Sequence, residues 1–396
     1  MTISKSTQYL TIASLWFGHF SVDFMLGIWP VYKTLAGLDL ALCGLIIGIC
    51  AFIGEGLQAY FGTLSDRGYR THLILGGVLL STASAFLAYS DSYVVLFFLL
   101  LLTLIGSGAF HPCAASLVNS LMPKRQGLLM SVFQSGGGAG LAVSQLIFFY
   151  AFYSLDGHTF VLAIPIVLFV GLLIINKWVL SAYDIPTPKK KASLMDYADL
   201  FKHRELRLLY ISQVCNQSLM WGTLFLLPDI LLSRGYDTWI CFGGGHFAYV
   251  AGMTLLLTPI GYLADKYSFK TVVICALGTC IFSLYAFLLL PMLSTGMLLS
   301  LLFIFGASLG SITPLNVVYG NRLVPNRSGV VSAFLMGLVW CVSEGLGQFG
   351  GGMLTKFFVD DAPAHALGCL GILFLVGLTA YLRLPKELPA RTESTC

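Results

Sequence analysis

Long apolar stretches alternate with short polar connections along all 396 residues. Most of these stretches reach the ~20 residues that an α-helix needs to cross a bilayer, and strand-like alternation with a period of two is absent. Because a helix satisfies its own backbone hydrogen bonds in lipid, we predict an all-α integral membrane protein with twelve transmembrane helices. The predicted helices lie at residues 9–34, 40–62, 72–90, 94–121, 128–153, 159–182, 206–233, 239–263, 270–289, 296–321, 328–355 and 362–384.

Composition agrees with this pattern. Hydrophobic residues make up 57% of the chain, charged residues 10%, and the mean hydropathy is +0.85, whereas soluble domains carry roughly 25% charged residues. The ten cysteines have no C-x-x-C spacing, so we interpret them as apolar filler rather than disulfides or metal ligands. We expect a lipid bilayer as the surroundings, and neither a nucleic acid nor a metal as a partner.

Motifs of nucleotide-driven or enzymatic chemistry are missing from the sequence. There is no G-x-x-x-x-G-K-[ST] phosphate loop and no H-E-x-x-H. We therefore predict no enzyme activity and no cofactor.

Basic residues set the predicted orientation, because they collect in every second connection. The clusters are Arg67 and Arg70, Lys124 and Arg125, Lys189 to Lys191 with Lys202, Arg204 and Arg207, Lys266 and Lys270, Arg322 and Arg327, and Arg383 with Lys386 and Arg391. By the positive-inside rule this side is cytoplasmic, and both termini lie there.

An internal repeat divides the chain into two halves. "GTLSDRGYR" from Gly62 is echoed by "GYLADKYSFK" from Gly261. Three further pairs are each 202 positions apart: Pro112 and Pro314, Pro123 and Pro325, and Gly127 and Gly329. Duplicated halves are typical of alternating-access carriers. We predict pseudo-symmetric six-helix bundles at residues 1–182 and 206–396, joined by a cytoplasmic linker at residues 183–205.

These motifs resemble the major facilitator superfamily. "GTLSDRGYR" is similar to the superfamily's loop signature G-x-L-x-D-R-x-x-R, between its second and third helices. "GHFSVDFMLGIWPVY", "GAFHPCAASLV" and "RQGLLMSVFQSGGGAGLA" resemble the fosmidomycin-resistance branch within it. The resemblance implies the superfamily fold and secondary active transport, and the branch implies efflux.

Two departures from the superfamily pattern affect function. Drug/proton antiporters usually carry a Gly-Pro element late in the fifth helix, where this chain has Val143, Ser144 and Gln145. The arginine that many members place in the fourth helix is also missing, and His111 and Pro112 lie near that position. Any proton relay here is therefore expected to differ from theirs.

Asp23 is the most unusual residue of the first predicted helix, since a charged side chain at mid-helix costs about 2.5 to 3.5 kcal/mol on insertion scales. His19 lies four residues earlier, on the same helix face. We predict that both face a central cavity, where they exchange protons or contact substrate. The alternative is a neutral Asp23 that only fixes packing.

Other polar residues of predicted helices extend the candidate cavity site. Glu55 with Gln58 and Glu344 with Gln348 are similar pairs in the second and eleventh helices, and both a gating role and a packing role fit them. His111 fits either a functional or a packing role, and Gln134 completes the candidates.

Charged residues near helix ends suggest conformational control. We predict that the loop residues Gly62, Asp66, Arg67 and Arg70, with Asp265 in the second half, form a latch at the cytoplasmic ends of the helices. Lys33 is predicted to be a snorkelling interfacial anchor, with attraction of an anionic substrate as the alternative.

The predicted function is secondary active transport, coupled to protons, of a small polar or anionic organic compound across the cytoplasmic membrane. Efflux is favoured over uptake of a metabolite, and a transporter-like sensor without turnover is the other alternative. We expect a multi-pass monomer in the inner membrane.

Overall fold

The computed structural model describes residues 5–121, 126–176, 178–181, 194–290, 292–324 and 327–385, and every regular element among them is helical. The predicted basic residues Lys124, Arg125 and Lys189 to Lys191, the repeat markers Pro123 and Pro325, and the first part of the predicted linker lie outside these residues.

The described residues of the first half form nine α-helices. They are α1 (Lys5–Leu26), α2 (Ile28–Leu35), α3 (Leu40–Gly56), α4 (Gln58–Leu64), α5 (Arg70–Ser81), α6 (Tyr93–Leu121), α7 (Gln126–Ser154), α8 (Ile164–Ile175) and α9 (Trp178–Ser181). One 3₁₀ segment, Thr82–Tyr89, extends α5, and another, Thr159–Ala163, precedes α8.

The described residues of the second half form ten α-helices. They are α10 (Leu194–Lys202), α11 (Arg204–Ser233), α12 (Gly245–Leu255), α13 (Leu257–Lys266), α14 (Phe269–Leu289), α15 (Thr295–Leu323), α16 (Ser328–Leu335), α17 (Gly337–Leu354), α18 (Ala362–Leu370) and α19 (Ile372–Leu382).

The predicted all-α membrane architecture is confirmed. Among the described residues, nine helical stretches are long and apolar enough to cross a membrane, and one of them, Leu40–Tyr89, covers the second and third predicted segments. The apolar stretch Thr159–Ile175 is shorter, and α11 corresponds to the seventh predicted segment. Several spans are broken into two helices by a local kink.

The break in the first span has a local cause. α1 ends at Leu26 and α2 begins at Ile28, with Gly27 between them. A Cβ on Gly27 would lie 2.0 Å from Ser144 Oγ, so only glycine permits this approach to α7. Pro30 then occupies the first turn of α2. An N–H group at that position would have no acceptor within α2, so the proline removes no helical hydrogen bond.

The two halves meet along α3 and α17. A Cβ on Gly44 would lie 2.5 Å from Gln348 O, and a Cβ on Gly352 would lie 2.3 Å from Leu40 O, so the two helix backbones are in close contact. α7 of the first half similarly packs on α12 of the second. These glycines allow the approach that positions the polar residues below.

One end of the bundle, which we call the far end, carries the connecting segments at residues 36–39, 90–92, 155–158, 234–237, 290, 292–294 and 358–361. Contacts hold these loops together: Tyr32 donates to Ser90 O at 2.9 Å, and Arg234 pairs with Asp361 at 3.0 Å. The described part of the predicted linker, residues 194–205, lies toward the opposite end.

Candidate substrate and proton site

A compact polar cluster lies where α1, α6 and α7 meet. His19 Nε2 is 3.4 Å from Asp23 Oδ2, and His111 Nε2 is 3.2 Å from Asp23 Oδ1. The two imidazole rings are 5.0 Å apart, between centroids. We call these three residues the His–Asp–His cluster. His111 therefore joins the predicted neighbours His19 and Asp23. The sequence predicted His111 as a candidate but gave no sign that it contacts the other two.

The far nitrogen of each imidazole fixes its tautomer. His19 Nδ1 is 2.8 Å from Phe133 O, and His111 Nδ1 is 3.0 Å from Ser107 O. A carbonyl oxygen only accepts hydrogen bonds, so both Nδ1 atoms carry hydrogen. In a neutral ring each Nε2 is then an acceptor, and it faces a carboxylate oxygen that is also an acceptor.

The cluster must hold protons for these contacts to be attractive. Two shared protons satisfy both Nε2–Oδ contacts and give a net charge of +1, one proton gives a neutral cluster, and none gives −1. Protonation therefore changes both the charge and the internal bonding of the site. The atoms also lie within 4.8 Å of one another, the only such trio of His, Cys, Asp or Glu among the described residues.

Gly137 on α7 leaves the space that the cluster occupies. A Cβ at this position would lie 2.4 Å from both Asp23 Oδ2 and His19 Nε2. Any larger side chain would displace one of the two, so the identity of this residue is part of the site.

A hydrogen-bonded chain continues from the cluster to Glu55. Ser107 Oγ lies 3.1 Å from His111 Nδ1 and donates to Glu55 Oε1 at 2.9 Å. Gln58 donates to the other carboxylate oxygen of Glu55. Asp23 and Glu55, on α1 and α3, are therefore connected through two side chains of α6, which the sequence did not indicate.

The second half contributes its own residues beside the cluster. The Trp340 ring on α17 is 6.3 Å from the His111 ring, so the cluster borders the interface between the halves. His246 on α12 reaches across this interface and its Nε2 donates to Leu141 O at 2.7 Å. Glu344 and Gln348 line a narrow cavity in the same interface.

Lys33 is fully buried, so its predicted role as a snorkelling anchor is wrong. Its Nζ forms an ion pair with Asp229 on α11 and donates to Thr34 Oγ1 at 3.0 Å, and Thr34 donates to the second oxygen of Asp229 at 2.9 Å. The ammonium is also 4.5 Å from the Phe225 ring centroid. The pair joins the two halves near the far end, because Pro30 and Gly27 turn α2 toward α11.

A second ion pair joins the halves at the far end itself. Asp39 caps the N-terminus of α3 through the N–H groups of Ala41 and Leu42, and it pairs with Lys356 just after α17. The hydrogen bond from the Lys356 ammonium, with that from the N–H of Leu42, lowers the pKa of the Asp39 carboxyl. Among the described residues, the ion pairs between halves are these two.

The predicted latch residues are not brought together. Arg70 is buried and its Nε donates to Ser65 Oγ at 3.2 Å, whereas Arg67 is exposed. Asp265 pairs with Arg322 of its own half at 3.3 Å, and no atom lies within 4 Å of a Cβ placed on Gly62. Asp66 has no ion pair with a described residue. Gln134 is half-buried beside Phe133 and makes no hydrogen bond to a described residue.

The second half has a neutral counterpart of the cluster that sequence reasoning missed. Gln217 on α11 donates to Thr313 on α15. Gln217 lies 198 positions after His19, as Pro228 does after Pro30, and Thr313 lies 202 after His111. The offset of the prolines was the signal that could have found this pair.

Comparisons with known proteins agree with this architecture. Residues 12–348 match a family model described as Major Facilitator Superfamily. The MFS-type transporter YfnC of Bacillus subtilis (strain 168) is 23% identical over 98% of this chain and 97% of its own. Multidrug resistance protein MdtH of Sodalis glossinidius (strain morsitans) is 23% identical over 85% of this chain and 84% of its own.

Solved structures show the same fold. A bacterial homologue of the human lysosomal transporter Spinster, in an inward-facing and unoccupied conformation, has a TM-score of 0.74 at 15% identity and covers 96% of this chain and 97% of its own. The nucleoside transporter NupG has a TM-score of 0.76 at 13% identity, covering 95% of this chain and 99% of its own.

Proposed function

We propose that this chain, which belongs to the Major Facilitator Superfamily, is a proton-coupled secondary transporter whose coupling protons are held by the His–Asp–His cluster. Its family and structural neighbours are transporters and not enzymes, and the chain is a transporter of this superfamily. Coupling, direction and substrate are the proposal.

The observation that carries the proposal is the proton requirement of the cluster. The tautomers of both imidazole rings are fixed, and the two Nε2 atoms face one carboxylate. A proton gained at an Nε2–Oδ contact makes that contact attractive, and a proton lost makes it repulsive. A change in the protonation state of this site therefore changes the distances between its side chains. Trp340 of the second half lies against it, so the geometry of the interface responds as well.

The chain from His111 through Ser107 to Glu55 supports proton movement. A proton that leaves the cluster finds a hydroxyl and then a second buried carboxyl within hydrogen-bond distance. This arrangement replaces the fourth-helix arginine of other superfamily members with a histidine relay.

Alternating access requires the far end to open and close. The ion pairs Lys33–Asp229 and Asp39–Lys356 hold it closed in this structure. We propose that residues 1–182 and 206–396 rock as two bundles, that the far end is external, and that both termini are cytoplasmic, as the positive-inside rule predicts. The loop latch at Asp66 and the monomeric state in the inner membrane stay predictions.

We propose efflux of a small organic compound as the direction. The resemblance of three motifs to the fosmidomycin-resistance branch supports it, and so do relatives that are named multidrug resistance proteins. Uptake and sensing without turnover are the outcomes that the experiment below distinguishes from it.

The test measures proton flux in liposomes that contain the purified chain, an internal pH dye and EDTA, so that metal-ion transport does not contribute. Pulses of small organic anions, cations and neutral compounds are added under a pH gradient of either sign. We expect a substrate-dependent proton flux that Asp23→Asn abolishes and that Asp237→Asn, an exposed carboxylate at the far end, leaves intact.

Other outcomes have definite meanings. A flux that persists in Asp23→Asn removes the cluster from the mechanism. Transport without any proton flux contradicts coupling to protons, and binding without transport favours the sensor. The sign of the gradient that drives accumulation distinguishes efflux from uptake.

A further inference from the structure

The cavity between the halves has an unusual inventory of unpaired groups. It is lined by Trp29 of α2 and by Trp221, His246, Glu344 and Gln348 of the second half. The hydroxyls of Ser84 and Thr103 also line it but bond each other at 3.0 Å, and the remaining wall is apolar. Only about 20 Å³ is open to the centre of a water-sized molecule, room for about one water. A larger ligand therefore enters only when the halves separate.

Three buried nitrogen atoms of this cavity lack hydrogen-bond partners among the described residues. The indole N–H groups of Trp29 and Trp221 have no acceptor. His246 donates from Nε2 to Leu141 O, so its Nδ1 is a bare acceptor, and that atom is also unpaired. Buried polar atoms are normally satisfied, so unpaired ones in a cavity indicate groups that await a ligand.

Glu344 is the charged group of this set. Its side chain is 6% exposed, and it makes no hydrogen bond or ion pair with another described residue. This distinguishes it from Glu55, which is held by Ser107 and Gln58, and from Asp23, which is held by two histidines. A buried carboxylate without a partner is unfavourable until a cation or a proton neutralises it.

Positive charge around the cavity is already neutralised. Lys33 is the buried ammonium of the described membrane-spanning helices, and Asp229 pairs with it. The other described lysines and arginines lie at helix ends and in connecting segments. An anion entering the cavity would therefore meet the Glu344 carboxylate and no free cation among the described residues.

We propose that this cavity binds a lipophilic organic monocation, such as an aromatic amine in its protonated form, with Glu344 as its counter-charge. The indole rings of Trp29 and Trp221 suit both an aromatic group and a cation, and His246 Nδ1 accepts from an ammonium N–H. The proposal rests on the proposed transport function and replaces the small polar or anionic compound that the sequence predicted.

The test uses two probes of equal size and opposite charge, tetraphenylphosphonium and tetraphenylborate. Equilibrium binding to the full chain is measured in nanodiscs of neutral phosphatidylcholine, without any pH gradient. We expect saturable binding of the cation and none of the anion. Glu344→Gln should weaken cation binding by at least about tenfold, a loss of one paired charge, while Glu205→Gln, outside the cavity, should not.

Trp221 gives a second, independent variant. Trp221→Leu should weaken the cation several-fold, and Trp221→Phe, which keeps an aromatic ring, should weaken it less. If Glu344→Gln fails to fold, as judged by its melting temperature, the tryptophan pair still tests the site.

Three results would overturn the proposal: equal or tighter binding of the anion, cation binding that does not saturate, or unchanged cation affinity in a folded Glu344→Gln protein. The proposed coupling fails separately. Cation binding without proton flux in liposomes contradicts coupling and leaves the site intact, whereas proton flux with an anionic or neutral substrate, together with no cation binding, contradicts only the site.

Discussion

The two halves of this protein place equivalent residues at their shared interface but give them different chemistry. In the first half, His19 and His111 contact Asp23, and the site can gain or lose protons. In the second, Gln217 and Thr313 occupy the positions at the repeat offsets, and they form one neutral hydrogen bond. Position 221, which corresponds to Asp23, is a tryptophan.

This difference teaches how a duplicated scaffold can divide labour. Repeated helices supply the same inward-facing positions twice. Under the proposed function, substitution at those positions assigns proton exchange to one half and ligand contacts to the other. The far end divides charge in a similar way, since Lys33 comes from the first half and Asp229 from the second.

The largest effect is expected from exchanging the chemistry of the halves. His19→Gln introduces the residue that the second half has at this position, and it removes one proton carrier from the cluster. Proton-coupled transport should therefore fall about 100-fold or more, which is the usual loss when an acid–base group is removed. Gln217→His copies the first half without an adjacent carboxylate and should leave coupling little changed. Proton flux in liposomes is measured for both variants. Equal losses of flux in the two would contradict the proposed difference between the halves.

The next effect concerns the buried ion pair. Lys33→Met leaves the largely buried Asp229 without its cation, with Thr34 still donating to it. Breaking a buried ion pair typically costs about 3–5 kcal/mol, so the closed far end should lose stability. Asp229→Leu combined with Lys33→Met removes both charges and should recover most of it. Labelling of single cysteines introduced at the far end reports the opening, and a double variant as open as the single one would contradict this view of the pair.

A smaller effect is expected from filling the space beside the cluster. Gly137→Ala places a methyl group where Asp23 and His19 now lie, so coupling should weaken by less than in His19→Gln because the side chains can shift. Position 339 lies 202 positions after Gly137 and is a valine. Among the described residues, no such cluster lies beside it. Gly171→Ala is the matched control, because a Cβ there meets nothing within 4 Å.

The smallest effect is expected at Asp39. Its lowered pKa means that its pairing with Lys356 is complete above the usual carboxyl range and is lost only as the pH falls through that lowered value. Between pH 5 and 8 this pair should therefore stay constant. Asp39→Asn, which can still cap α3, should change thermal stability by about 1 kcal/mol or less and leave the pH profile of transport unaltered. A shifted profile would assign pH sensitivity to the far end.

The fold and the identity of the first candidate residues followed from the sequence. Apolar length alone requires helices in lipid, and a buried charge such as Asp23 is costly enough to mark a site wherever it stands. His19 could be paired with it because a spacing of four residues fixes the helix face.

The tertiary structure decided which distant residues meet. Asp23 lies on α1, His111 and Ser107 lie on α6, and Glu55 lies on α3. Only the packing of these three helices makes them one hydrogen-bonded chain. Lys33 looked like a surface anchor because its burial depends on Asp229, almost 200 positions away. Local spacing determines the face of a helix, but the partner on that face is set by how helices pack, and no pattern within one helix contains that information.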